Sequence, residues 1–146
     1  MRRFELLQIR HNVEITPGKI KNSVALTRHP GEAVVTYSPA LPANQRNVGV
    51  AMMFGVLEKR WSGTYFLFRF PEEGDPDQLI RALVQARRDY RPVFRWAAEL
   101  LITDRMLREI EREERSPWEL VEQEQVTPEL VAYRLGVLPP LVAASC

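Results

Sequence analysis

A chain of 146 residues, 45% apolar and 27% charged with a formal net charge of +1, has the composition of a folded globular protein large enough to bury a core. No apolar run approaches the length of a membrane span, and Met1-Arg2-Arg3-Phe4-Glu5 is not followed by the apolar stretch of a signal peptide, so a cytoplasmic protein without a membrane partner is expected. The one cysteine, Cys146, has no second thiol in the sequence, which excludes an internal disulfide.

In chain order, Phe4 to Ile15 alternates loosely between apolar and polar residues and predicts a hairpin turning at His11-Asn12. Ile20–Thr27 and Ala33–Tyr37 are rich in β-branched residues and flank Arg28-His29-Pro30-Gly31, which predicts a second hairpin. From Val48 to Lys59 the positions Val48, Ala51, Met52, Gly55 and Val56 recur at helical spacing, the pattern of a helix buried against a sheet. Thr64 to Phe70 alternates with Phe66, Phe68 and Phe70 on one face, the pattern of a strand. Asp75-Pro76-Asp77-Gln78 combines an N-cap, a proline at N1 and a glutamine at N3, which predicts a helix reaching about Asp89. Pro92 opens the next.

The punctuation is clearest in the last third. Thr103 is placed to cap a helix from Asp104, and Ser116-Pro117-Trp118-Glu119 unites an N-cap, an N1 proline and a glutamate at N3. Thr127-Pro128 repeats that start, and Gly136 stands where the helix should stop. Two short helices joined across Glu124–Thr127 can share an apolar seam of Leu120, Val121, Val126, Leu130, Val131 and Leu135, with helix-turn-helix spacing. The expected class is therefore α+β: N-terminal β hairpins packed on a buried helix, then a helical C-terminal half ending in a helix-turn-helix-like module. Residues 1–102 would form the first region and 103–146 the second, packed together as one compact domain.

The order of Trp96-Ala97-Ala98-Glu99-Leu100-Leu101-Ile102, a charged helix, Leu120 through Val131, and Tyr133-Arg134-Leu135 resembles the C-terminal half of the ImmA/IrrE metallopeptidases. The resemblance covers about a third of the chain. It implies a role in gene regulation, commonly by cleaving or antagonising DNA-binding repressors and often in phages and mobile elements. It also implies a zinc-binding His-Glu-x-x-His helix in the segment that begins at Arg46. Aligning the family's alanine with Ala51 and its glycine with Gly55 puts Met52, Met53 and Val56 at the histidine, glutamate and histidine positions. Two histidines at i and i+4 bind zinc through imidazole nitrogen and the glutamate activates the metal's water; methionine and valine do neither. The family's third ligand, a glutamate, would fall within Tyr90-Arg91-Pro92-Val93 and is missing too. A pseudoenzyme without metal or cofactor is the expectation.

The remaining residues offer no other catalytic set. His11 and His29 lie apart in the β region, and Cys146 has no base placed beside it. Binding is the alternative. Residues 1–60 hold nine Lys/Arg against four Asp/Glu and residues 61–146 hold eleven against fifteen, so the charge is divided along the chain. Arg81, Arg87, Arg88, Arg91 and Arg95 form a basic cluster beside Tyr90 and Trp96, suited to phosphate, nucleic acid or an acidic protein surface. From Ser116 onward, Glu119, Glu122, Glu124 and Glu129 face only Arg134, a balance that would repel DNA phosphate. The expected partner is thus a transcription factor or the transcription machinery, bound through Arg81, Arg87, Arg88, Arg91 and Arg95 or through Glu122, Glu129 and Arg134. Nucleic-acid binding by the arginine cluster and self-assembly into a structural protein are the alternatives.

Overall fold

The computed structural model describes residues 2–70 and 92–137. The helix expected from Asp75 to about Asp89, and with it Arg81, Arg87, Arg88 and Arg91, lies outside the described residues.

The fold is α+β. A short 3₁₀ turn, Arg2–Phe4, runs into helix α1, Glu5–His11, and strand β1 follows at Val13–Pro17. Strands β2, Ser23–His29, and β3, Glu32–Tyr37, form the expected hairpin around Pro30-Gly31, where Gly31 adopts φ +83°. Strand β4, Tyr65–Arg69, completes a mixed sheet in the order β1-β3-β2-β4, with β1 parallel to β3 and the other pairs antiparallel. The register sets Val24, Tyr37 and Phe68 opposite one another, and likewise Leu26, Val35 and Phe66, so one face carries the apolar set.

The hairpin expected over Phe4 to Ile15 is instead a helix followed by a strand. Phe4 and Leu7 turn inward with His11 one turn further on, the i, i+3, i+7 spacing of a helix face, while Leu6 and Ile9 are 82% and 75% exposed. His11-Asn12 still marks the reversal, because Asn12 ends α1 in the left-handed region at φ 53°.

Helix α2, Ala43–Glu58, is the centre of the core, and every residue from Asn47 to Val56 is buried. A helix apolar on all sides must be covered on all sides. Its two glycines mark the tightest contacts. A Cβ on Gly49 would lie 2.4 Å from Cγ2 of Val24 in the sheet, and one on Gly55 would lie 2.9 Å from Cγ1 of Val93 in the helix over residues 92–101, here α3. On a third side Phe4 stacks on Phe54 with ring centroids 5.6 Å apart.

Helices α4, Asp104–Glu111, α5, Pro117–Glu124, and α6, Pro128–Arg134, form the C-terminal module. Each expected cap is made: the side chains of Thr103, Ser116 and Thr127 accept from the amides of Met106, Glu119 and Leu130. Leu120, Val126, Leu130 and Val131 belong to the same continuous core as Phe54 and Val35. Phe94 on α3 and Tyr133 on α6 pack edge to face with centroids 5.0 Å apart, joining the module to the rest.

Candidate functional site

Polar contacts fix how the module sits. Asn47 on α2 donates to the carbonyl of Gln125 in the α5–α6 turn at 2.9 Å. Arg3 pairs with Glu124 at 3.1 Å, and Arg115 reaches both Glu109 at 3.2 Å and Glu124 at 3.1 Å. Glu111, four residues before Arg115, is not among its partners. The reason is local: α4 stops at Glu111 and Glu113 turns to φ +60°, so helical i, i+4 spacing no longer applies there. Within α4 that spacing does apply, and Arg105 pairs with Glu109 at 3.5 Å.

Arg134, assigned by sequence to partner binding, is turned inward. Its Nε donates to the carbonyl of Ile102 at 2.8 Å and its terminal nitrogen meets Asp104 at 2.9 Å, leaving the side chain 14% exposed. It is the single Lys or Arg from 116 to 137, so this cation is held within the fold rather than offered to a ligand. Glu122 is exposed and Glu129 is half-exposed, and neither makes an ion pair among the described residues. Arg95, the described member of the arginine cluster, is exposed and paired with Glu99 one helical turn on at 3.0 Å.

What the sequence left unread is a surface between α5 and α6. Trp118 and Val121 from α5 and Val131, Ala132 and Leu135 from α6, closed by Val137, line an open apolar groove of about 260 Å³. The helix-opening prolines Pro117 and Pro128 complete the lining. Trp118 is 66% exposed and Val137 is 71% exposed, so large apolar side chains stand in water. One signal was available in the sequence: the inward position on α5 is already supplied by Leu120, which leaves the indole at Trp118 without an inward role. On α5, Glu122 follows Trp118 by four residues, and on α6 Glu129 precedes Ala132 by three, so by helical spacing each acid neighbours a groove residue on its own helix.

The positions that the ImmA/IrrE resemblance gives to zinc ligands are different in kind. Met52, Met53 and Val56 are all 0% exposed and belong to the packed core rather than to a pocket. Among the described residues, no three His, Cys, Asp or Glu side chains converge as a metal site. Nor is any described helix long and apolar enough to cross a membrane. His11 lies 3.2 Å from Glu58 and against the ring of Phe54. Burial pushes the Glu58 carboxyl up, but hydrogen bonds from His11 and Arg10 outweigh burial and hold it below its ordinary value.

In comparisons with known proteins, no family model, curated protein or solved structure matches this chain.

Proposed function

We propose that this chain is a non-catalytic regulatory protein that docks, through the α5–α6 face, onto a transcription factor or a component of the transcription machinery. The observation that carries this is the open apolar groove beside Trp118, on two helices that also carry Glu122 and Glu129, with Arg134, the single cation from 116 to 137, turned inward. A helix-turn-helix that reads DNA presents basic and amide side chains to phosphate and base edges. The α5–α6 face presents apolar surface and carboxylates, which suit a protein partner.

The non-catalytic half draws support from Met52, Met53 and Val56. With no surface exposed to water at these three side chains, substrate has no access to the place where the resemblance would put the chemistry. A relative of the ImmA/IrrE peptidases built this way keeps the regulatory contact and not the cleavage.

The test is to immobilise the purified protein, pass nuclease-treated lysate of the source cells over it, and identify what is retained by mass spectrometry. A repressor, sigma factor or polymerase subunit is expected, and its retention should drop when Trp118 is replaced by alanine. Retention that disappears with nuclease would favour nucleic-acid binding by the arginine cluster instead. One equivalent of bound zinc with chelator-sensitive proteolysis would overturn the non-catalytic assignment.

A further inference from the structure

The groove between α5 and α6 constrains the chemistry of what fills it. Its walls are side chains of two helices whose backbone bonds are made internally, and two of its lining residues, Pro117 and Pro128, have no N–H at all. An extended segment laid there would bury its own amides and carbonyls without partners, at a cost of about 1–3 kcal/mol for each unsatisfied group. A helix satisfies those groups by itself. The groove is open to solvent rather than an enclosed cavity. At about 260 Å³ and open along its length, it is suited to a few apolar side chains projecting from a larger body.

Charge narrows the occupant further. Glu124 is engaged by Arg3 and Arg115, and Arg134 by Asp104. Glu122 and Glu129 have no such cation among the described residues, which leaves negative charge next to the groove. Like charge at the edge of an interface opposes binding, and opposite charge steers it.

We infer that the groove receives an amphipathic helix of a partner protein, one whose apolar stripe is flanked by lysine or arginine. This rests on the regulatory docking proposed above and adds the chemistry of the segment that docks. Apolar residues at i, i+3, i+4 and i+7 would meet Trp118, Val121, Val131 and Leu135, and basic residues beside that stripe would meet Glu122 and Glu129.

The experiment uses the full chain and fluorescently labelled synthetic peptides of about 18 residues, five helical turns, read by anisotropy. One peptide has a leucine stripe flanked by lysine, and the other has the same stripe flanked by glutamate. The lysine peptide is expected to bind at least about tenfold more tightly, with the difference shrinking as salt is raised. Glu122→Lys combined with Glu129→Lys should reverse the preference, and Trp118→Ala should weaken both peptides while the circular dichroism spectrum stays unchanged. Equal affinities, or no reversal in the double variant, would overturn the proposal. So would a second copy in the groove, seen as a mass that rises with concentration and returns to the monomer in Trp118→Ala. A tenfold gain for both peptides on Leu141→Asp with Val142→Asp would assign the groove to the chain's own residues 138–146, which also overturns it. Peptides bound without charge preference, alongside nuclease-resistant capture of a transcription protein, would remove the basic helix and leave the regulatory function standing. Charge-selective peptide binding with no such capture would do the reverse.

Discussion

Asn47 and Gln125 are 78 positions apart in the chain and one hydrogen bond apart in space: the side-chain amide of the first donates to the backbone carbonyl of the second at 2.9 Å. The bond ties the central helix to the turn of the C-terminal module. Asn47 is 5% exposed, and Gln125 holds its carbonyl in place from the left-handed region at φ 52°. Asn47→Ala removes the donor and leaves the part-buried Gln125 carbonyl without its partner. A loss of about 1–2 kcal/mol is expected in urea denaturation, seen as a lower midpoint at unchanged slope. A loss below about 0.5 kcal/mol would mean that water takes over the carbonyl.

Glycine in a helix interior is ordinarily worse than alanine by about 1 kcal/mol, so Gly→Ala should stabilise. At Gly49 and Gly55 the sign reverses. Both substitutions are expected to destabilise by about 1–3 kcal/mol through overpacking, and they should differ in their rescue. The atoms facing a Cβ at Gly49 are side-chain atoms of Val24 and Phe70, so Val24→Ala in the Gly49→Ala background should recover part of the loss. At Gly55 the carbonyl oxygen of Val93 also lies 3.1 Å away, and Val93→Ala cannot move it. Double-mutant cycles by thermal denaturation measure the contrast.

The parts of this fold that could be read from sequence are those determined by chemistry a few residues wide. Thr103, Ser116 and Thr127 cap as expected because a hydroxyl three residues before an amide needs no tertiary help. Helix α1 escaped because Leu6 and Ile9, though exposed, create an alternation that burial does not follow. Helix α2 was expected from Val48 but begins at Ala43, since its N-cap is Pro42, which provides no side-chain acceptor to mark the start. The candidate site was half legible. Glu122 and Glu129 stand out by charge count alone, whereas the inward turn of Arg134 depends on the Ile102 carbonyl and Asp104, and the outward turn of Trp118 on the packing of α5 against α6. Composition does not encode these.

Glu58 gives the protein a stability term with a definite pH window. Its folded-state pKa is lowered because hydrogen bonds from His11 and Arg10 outweigh the upward effect of burial. A carboxyl depressed on folding stabilises fully above its unfolded pKa, and the contribution is lost as pH falls through the folded value. The Glu58 side chain is 23% exposed and its partner Arg10 is 64% exposed, so screening keeps the term small. Glu58→Gln is expected to cost about 0.5–1 kcal/mol near neutral pH. The deficit should shrink as pH drops through the ordinary carboxylate range, near 4.5 and below, until variant and wild type converge. Urea titrations at a series of pH values check this, and a deficit that persisted in acid would assign the loss to packing instead of charge.

Trp118 and Leu120 stand two residues apart on the same eight-residue helix and should respond to truncation in opposite ways. Leu120 is fully buried in the core that joins α5 to the rest of the molecule, so Leu120→Ala leaves a cavity and is expected to cost about 2–5 kcal/mol. Trp118 presents two thirds of its surface to water, and Trp118→Ala should change stability by no more than about 0.5–1 kcal/mol. Denaturant titration of both variants settles the comparison. If Trp118→Ala proved as costly as Leu120→Ala, the indole would be part of the structural core, and the α5–α6 face would lose its claim as a docking surface. If the large loss is confined to Leu120, the indole contributes little to folding, and the α5–α6 face stays free for the docking role proposed for it.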